Sequence, residues 1–415
     1  MIKNIVVSLS LLVTFISVAQ DNTASPYSFY GIGEFKFKGA VENRTMGGVA
    51  VFKDSLQINF LNPASYANLK TTSFTVSGSQ NYTTLQSQNE KEKAQRTSLD
   101  YLAVGIPLGK STAAFGLMPY SSVGYKIRNT FTDEEGFFRN KIATGSGGVS
   151  RLFFGYGYRL TSELSLGLDI NYHFGTIETS SLEYITGIQF GTRELNNSRV
   201  TGFSTNLGLM YNKKITEKNS IFTSLTYSPE SKFTVENSTL ISTVNLTNLS
   251  VNESEDEFVS TNKLTNPSKL SLGLGFGNMR KLAVGTQLTF TQSSDFGNRF
   301  EDINNVTYKN GTKVGVGGFY IPKQLSYSNY WNRVTYRAGM NFENTGMVIN
   351  NEEIKDYGIN FGLGLPLTGT LSNINIGFEY GSRGTNKANL IRENYFNVLI
   401  SLSLSDKWFV KSKYN

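Results

Sequence analysis

The chain has 415 residues, a formal net charge of +7 and no cysteine. Without cysteine it has no disulfide framework, no thiol nucleophile and no thiolate metal site. Its basic residues are scattered and form no arginine stripe, so nucleic acid is not an expected partner. Glycine contributes 40 residues, phenylalanine 29 and tyrosine 22. This composition suits a crowded, glycine-rich β wall with aromatic girdles.

Residues 1–19 have the pattern of a secretory signal peptide. Lys3 supplies a positive charge, residues 5–16 are almost continuously apolar, and Ser17-Val18-Ala19 places small residues before Gln20. The apolar run is shorter than the ~20 residues that a membrane-spanning helix needs, and no later run reaches that length. We therefore expect export of the mature chain and no membrane-spanning helix.

Residues 20–70 come next and show little of the alternation that marks a strand. They contain Gly31-Ile32-Gly33, Gly47-Gly48 and Asn62-Pro63-Ala64, all of which are turn signals. The alternating pattern begins at residue 71 and continues without a Pro-rich or Ser-rich linker. The sequence therefore predicts three parts: a signal peptide (1–19), an N-terminal segment (20–70) and one large β domain (71–415).

The clearest strand of that domain runs from Glu163 to Gly175. Every even position from Leu164 to Phe174 is apolar or aromatic, and every odd position is charged, polar or glycine. Alternate side chains of a strand point to opposite faces, so this strand has one apolar and one polar face. In a soluble sandwich the apolar face points inward, whereas in an outer-membrane barrel it points at lipid.

About fourteen strands are predicted, an even number like that of bacterial single-chain barrels. They lie near residues 72–80, 97–107, 111–119, 147–159, 163–177, 200–213, 219–228, 267–276, 281–292, 314–321, 331–343, 355–365, 372–381 and 394–404. Their connections alternate in length. Tight turns are expected at 108–110, 160–161, 214–218, 277–280 and 366–369, and long polar loops at 81–96, 120–146, 178–199, 229–266, 293–313 and 382–393.

This sorting of short and long connections is typical of the outer membrane, where the short rim is periplasmic. A periplasmic β-sandwich is the alternative interpretation, but that fold gives no reason for short and long connections to alternate. We therefore predict an all-β fold, a closed antiparallel outer-membrane barrel whose lumen residues 20–70 fill as a hatch. The parity of the strands places several charged or polar residues on the lumen face: Arg151, Glu163, Asp169, His173, Arg333, Arg337 and Glu379. Such charges either tie the hatch to the wall or line a hydrated lumen.

The N-terminal segment resembles the FadL family of outer-membrane transporters for hydrophobic compounds. The resemblance rests on Arg44-Thr-Met-Gly47-Gly48-Val-Ala50, Asp54-Ser55 and Asn62-Pro63-Ala64, and covers roughly a tenth of the chain. The opening Ser25-Pro-Tyr-Ser-Phe-Tyr-Gly-Ile-Gly33 looks like the branch common in Bacteroidetes. The resemblance implies a fourteen-stranded barrel, a hatch that gates it at Gly47, Gly48, Asp54, Asn62, Pro63 and Ala64, and a fatty-acid-like or aromatic ligand. The family's ligand-contact residues do not map onto this sequence.

A second function stays open. The barrel subunit of the type IX secretion machinery has a similar hatch motif, so a non-transporting docking subunit of a secretion or assembly complex is the alternative, with a protein as partner. An enzyme is a distant third reading, resting on His173, the only histidine. No cofactor or metal site is predicted, because the acidic cluster at 253–257 lacks the spaced ligands and glycine of a calcium loop.

The hatch motif also gives a positional expectation. Pro63 holds Asn62 extended, and the Asn62 amide carries donors and an acceptor for a neighbouring strand. We expect Asn62 to contact the wall near residues 111–119, where Gly116 and Pro119 weaken the ladder of the third strand beside a lateral opening.

Overall fold

The computed structural model describes residues 23–299, 305–326 and 329–406. The predicted signal peptide and the C-terminal residues 407–415 lie outside this range. The described chain forms one closed antiparallel barrel of fourteen strands, which confirms the predicted fold class. Closure excludes the β-sandwich, because the last strand pairs with the first along its whole length, from Arg392 opposite Gln86 to Asp406 opposite Thr72.

Each barrel strand pairs with its neighbours in sequence order. The strands are β1 (Thr72–Gln86), β2 (Lys91–Leu108), β3 (Ser111–Thr132), β4 (Phe138–Arg159), β5 (Leu164–Ile185), β6 (Phe190–Lys214), β7 (Ser220–Ser228 and Ser231–Asn245), β8 (Phe258–Asn266 and Ser268–Asn278), β9 (Leu282–Gln292), β10 (Gly311–Tyr320), β11 (Thr335–Ile349), β12 (Glu352–Pro366), β13 (Asn373–Arg383) and β14 (Arg392–Asp406). Pro229 and Pro267 interrupt β7 and β8, since proline cannot donate to the ladder. Two short segments, Val251–Ser254 and Val306–Tyr308, pair beside β7 and β11.

The apolar faces of the strands point outward. On β5 the side chains of Leu166, Leu168 and Ile170 are exposed, while Asp169 and His173 are buried. This is the reverse of a soluble protein, and it follows from the alternation read in the sequence. No helix among the described residues is long and apolar enough to cross a membrane.

The prediction of long irregular loops was wrong, because these residues are mostly in strands. Most of their residues extend the strands, so that β4 and β5 have 22 residues each and β6 has 25, whereas a barrel strand needs only about 9–11 to span the bilayer. Above the lipid no apolar face is required, so these extensions lack the alternation on which the prediction depended. On the opposite rim the β10–β11 connection is longer than expected. There Tyr330–Arg333 forms a 3₁₀ turn, so a strand starting at residue 331 was wrong.

The N-terminal segment, residues 23–71, packs inside the barrel; we call it the plug. Its regular elements are short: a 3₁₀ turn at Pro26–Phe29, a plug strand at Glu34–Phe35, an α-helical turn at Val41–Arg44 and a 3₁₀ turn at Pro63–Asn68. Four apolar clusters join the plug to the wall. They group Ile32 with Val149 and Phe233, Phe60 with Tyr101 and Phe153, Phe52 with Phe222 and Phe319, and Tyr27 with Ile349 and Ile354. Here the lumen is a packed protein core.

Candidate functional site

The glycine turn of the plug packs its backbone directly on the wall. Gly47 has a φ of +69°, and a Cβ there would collide with the carbonyl oxygen of Met340 on β11. The facing wall residues include Gly315 and Gly317, where a Cβ would collide with the carbonyls of Gly47 and Met46. Glycine on both sides therefore permits backbone contact at this point. Gly48 also has a positive φ, but the nearest atom to its Cβ position is 3.9 Å away.

The Asn-Pro-Ala motif is fixed to a different strand from the one expected. Asn62 Nδ2 donates to the Leu209 carbonyl of β6 at 3.2 Å, and Asn62 Oδ1 accepts from Ala64 N at 3.0 Å, capping the 3₁₀ turn that follows. Gly167 and Gly208 leave room for Pro63 and Ala64 against the wall. Asn62 does bond to the barrel, but the expected contact near residues 111–119 was wrong. The strand that the amide reaches depends on the path of the plug, which the local motif does not encode.

Asp54, the remaining predicted gating residue, makes a local turn. Its Oδ1 accepts from the backbone N–H groups of Leu56 and Gln57 at 2.8 and 3.1 Å. Asp54 therefore shapes the loop between the glycine turn and Asn62.

Buried ion pairs connect the plug to β2 and β13. Arg44 donates to both carboxylate oxygens of Glu379, at 2.9 and 2.6 Å, and lies 3.5 Å from Asp100. Arg383 of β13 contacts the plug residue Glu34 at 2.6 Å and also Asp356 at 3.0 Å. Such charge-assisted pairs are strong when both partners are shielded from water. The structure thus provides the contacts expected of charges that tie the plug to the wall.

The pKa values of two plug carboxyls, Glu34 and Glu42, are shifted in opposite directions by their surroundings in the lumen. Burial raises the pKa of Glu34, but the nearby Lys36 and Arg383 outweigh that effect and hold the pKa well below its usual range. Glu42 Oε1 accepts from Asn375 Nδ2 at 2.7 Å. Burial raises the pKa of Glu42 to about 6 despite the nearby Arg337. Glu34 is therefore held as an anion, whereas Glu42 is only partly ionised near pH 6.

The predicted lumen residues of β4 and β5 form a second cluster. The guanidinium of Arg151 lies 4.6 Å from the ring of Phe37 in the plug. Asp169 and His173 are buried, and His173 is the register partner of Arg151. His173 Nε2 lies 2.8 Å from Ser204 Oγ on β6. The His173 ring is enclosed by the rings of Tyr120 and Phe233, at 4.4 and 4.7 Å between centroids.

This serine–histidine contact lacks a group that orients the base. His173 Nδ1 has no hydrogen-bond partner among the described residues. A catalytic dyad normally has a third group that holds the imidazole in its working tautomer. The contact is therefore that of a buried polar pair.

The two predicted arginines near β11 occupy different environments. Arg337 donates to Asn375 Oδ1 at 3.1 Å inside the barrel. Arg333 lies in the 3₁₀ turn before β11 and stacks on Tyr330 of the same turn, 5.3 Å from its ring. The strand position predicted for Arg333 was wrong, because the strand begins two residues later.

The wall has a gap beside β3. Pairing between β2 and β3 runs from Leu108 opposite Ser111 to Leu102 opposite Leu117, and no pair beyond that point is found within the described residues. Pro119 accompanies a register shift between β3 and β4, and the plug strand pairs with β3 at Ser121 and Ser122 instead. The interrupted ladder expected beside the third strand is therefore present. Nothing in the sequence indicated that the plug would pair there.

A large cavity opens at this gap. It has a volume of about 1410 Å³ and is lined on one side by β2 residues 92–96 and on the other by β3 residues 124–130. Ala24 and Pro26 of the plug form part of its lining. Its surface is mixed, since Ala94, Ile127 and Leu240 lie beside charged residues such as Arg96 and Arg128. The cavity lies among the long strand extensions and is bordered by the unpaired parts of β2 and β3.

A barrel of fourteen strands with its N-terminal segment packed in the lumen defines a FadL-type outer-membrane fold. The chain belongs to the BamG family, whose family model matches residues 1–415. No curated protein sequence matches the chain significantly.

Solved structures support the fold assignment. The Pseudomonas putida toluene transporter TodX has a TM-score of 0.59 and 15% identity, with 91% of this chain and 100% of that chain covered. The CymD monoaromatic hydrocarbon channel has a TM-score of 0.58 and 14% identity, covering 92% and 99%. A Pseudomonas aeruginosa FadL homologue has a TM-score of 0.60 and 13% identity, covering 89% and 99%. At these identities the likeness concerns the fold.

Proposed function

We propose that the protein is an outer-membrane channel for hydrophobic small molecules, exported through its signal peptide and opening sideways into the bilayer. The observation that carries this proposal is the gap between β2 and β3, because the unpaired parts of these two strands line a cavity of about 1410 Å³. A ligand that prefers lipid to water gains by leaving through the wall, since its apolar surface then stays out of water. TodX and CymD are described as channels or transporters of aromatic hydrocarbons, which is the class of ligand proposed here.

The proposed gate is the first part of the plug. The plug strand Glu34–Phe35 makes only two register pairs with β3, and its ion pair with Arg383 must open when it moves. The region from Arg44 to Ala64 is held by the Arg44–Glu379 pair, by Asn62 and by the backbone contacts of Gly47. We therefore place the moving part at residues 23–38 and the fixed part at Gly47, Gly48, Asp54, Asn62, Pro63 and Ala64. In this mechanism the hatch motif anchors the plug while the plug strand exposes the gap.

Uptake of radiolabelled toluene and oleic acid by cells expressing the full chain tests the proposal. Ala94 and Gln95 are adjacent on β2, but Ala94 lines the cavity while Gln95 is exposed. Ala94→Trp is expected to reduce uptake to the level of cells without the protein, and Gln95→Trp is the matched control that retains it. Equal uptake by the two variants would exclude a route through this cavity.

A second candidate is a docking subunit of a secretion or assembly complex that transports nothing. It is favoured by the buried pairs of Arg44 with Glu379 and of Arg383 with Glu34, because a plug so fixed suits support better than gating. Purification from native membranes in mild detergent separates the two functions. A stoichiometric protein partner favours docking, and a monomer with bound lipid favours transport. We assign His173 a structural role, so His173→Ala is expected to abolish no lipolytic or proteolytic activity.

A further inference from the structure

The outer surface of β10 to β13 carries an apolar groove far from the gap. Its volume is about 480 Å³. Seven large side chains line it and are exposed outside the barrel: Val314, Val316, Met340, Phe342, Tyr357, Ile359 and Tyr380. A groove with this volume and an apolar lining on the outer surface suits hydrocarbon chains.

One end of the groove is polar. Ser382 and Asn394 line it and face each other across β13 and β14. Ser382 is 6% exposed, and its Oγ has no hydrogen-bond partner among the described residues. Leaving a buried hydroxyl unpaired is costly, so this group points to a polar atom of a ligand.

Basic side chains lie just beyond that end. Side chains two residues apart share a face of a strand, so Lys355 lies beyond Tyr357 and Arg392 beyond Asn394, on the outer face. Gly384, between them, carries no side chain. Lys309 is also close, since Lys309 and Lys355 both contact Glu353, at 3.5 and 3.4 Å. Three basic residues with one acidic residue leave this end positively charged.

The position of the basic end along the membrane normal indicates which lipid would occupy the groove. The basic end lies beside the β11–β12 turn and the connection after β13, on the rim of the long strand extensions, which is the extracellular rim. We propose that the groove binds a phosphorylated glycolipid of the outer leaflet, lipid A. Its acyl chain would lie along Met340, Phe342 and Tyr380, its phosphate between Lys355 and Arg392, and a hydrogen-bonding oxygen at Ser382.

Native mass spectrometry of the delipidated full chain, titrated with lipid A, tests this site. Lys355→Gln/Arg392→Gln is expected to weaken lipid A binding roughly tenfold, and Ser382→Ala about threefold. Val316→Trp fills the groove and is expected to abolish binding. Matched controls are Lys141→Gln/Lys263→Gln, which removes two exposed lysines elsewhere, and Leu272→Trp on the lipid-facing side of β8; both are expected to bind as the parent does.

The site is wrong if the groove variants and their controls retain lipid A equally. It is also wrong if phosphatidylglycerol binds as tightly as lipid A, because the groove would then select no glycolipid. Ser382→Ala alters a single hydroxyl, so its binding decides the question should a larger variant fail to refold.

Discussion

Arg44 in the plug and Glu379 on β13 form a two-pronged ion pair inside the barrel, with N–O distances of 2.9 and 2.6 Å. Their side chains are each 9% exposed. Asn397 Nδ2 also donates to Glu379 Oε2 at 3.1 Å. The pair joins residues that are 335 positions apart, so it forms only when the plug is seated in the closed barrel.

Replacing one partner of this pair is expected to be strongly destabilising. Arg44→Met leaves the Glu379 carboxylate buried without its cation, which typically costs about 3–5 kcal/mol. Urea unfolding of the refolded protein in detergent measures the change. The double variant Arg44→Met/Glu379→Met removes this pair and should recover much of the loss, except for the part due to Asp100, which also loses its contact with Arg44. A single variant as stable as the parent would mean that the plug is not held here.

Glu42 gives a prediction about pH. Its folded pKa of about 6 lies above the ordinary value of 4.5, so the folded state binds more protons between these values. Stability is therefore greatest below about pH 4.5 for this group, falls as the pH rises through 6, and remains lower by about 2 kcal/mol above it. Glu42→Gln keeps an oxygen for Asn375 and cannot ionise. The variant should match or exceed the parent in unfolding free energy at pH 7.5, and a large loss there would contradict the raised pKa.

Alanine substitutions at Gly47 and Gly48 distinguish the cost of a left-handed backbone from the cost of a steric clash with the wall. Both have a positive φ, but only Gly47 faces a wall atom that a Cβ would strike. Gly48→Ala is expected to cost about 1–2 kcal/mol from the left-handed backbone alone. Gly47→Ala adds a clash with a backbone carbonyl and should cost at least ~2 kcal/mol more, or unseat the plug. The destabilisation of each variant is measured by its heat-dependent shift in gel mobility and by the midpoint of its urea unfolding. Equal effects would show that the turn does not touch β11.

Asn62 is expected to stabilise the folded protein through both the oxygen and the nitrogen of its side-chain amide. Asn62→Asp retains an oxygen that accepts from Ala64 N but loses the donation to the Leu209 carbonyl. Asn62→Ala loses both, which typically costs about 1–3 kcal/mol in a buried site. The aspartate variant should also be destabilised, because a carboxylate then faces a carbonyl oxygen. If Asp were fully tolerated, the wall contact at Leu209 would be dispensable.

The alternation of apolar and polar residues made the strands predictable, but it marks only part of each strand and so did not show the full length. Leu164 to Phe174 reveal β5 because lipid demands apolar residues at every second position. The extension of β5 to Ile185 meets water on both faces, so no such pattern marks it. Likewise, Gly47 and Pro63 signalled turns, but the partners Met340 and Leu209 are long-range contacts set by the path of the plug.

The candidate site was predictable to a similar degree. Pro119 marked β3 as irregular because proline weakens a ladder. The plug strand has no alternating run of its own, since Glu34 and Phe35 gain their strand geometry only by pairing with β3. The charged residue Glu379 was placed in the lumen by parity, whereas its partner Arg44 lies in a segment without periodicity, which gave no basis for pairing the two.

In the proposed mechanism, hydrophobic ligands leave through the gap beside β3 when the plug strand moves. Phe35 and Ser121 are register partners, and adjacent strand pairs suit a disulfide in a chain that has no other cysteine. The decisive measurement is toluene uptake by Phe35→Cys/Ser121→Cys under oxidising and reducing conditions, with Ser271→Cys/Thr289→Cys, a register pair of β8 and β9, as control. Uptake should be lost on oxidation and restored on reduction in the first variant only. Undiminished uptake by the oxidised first variant would contradict gating at this gap.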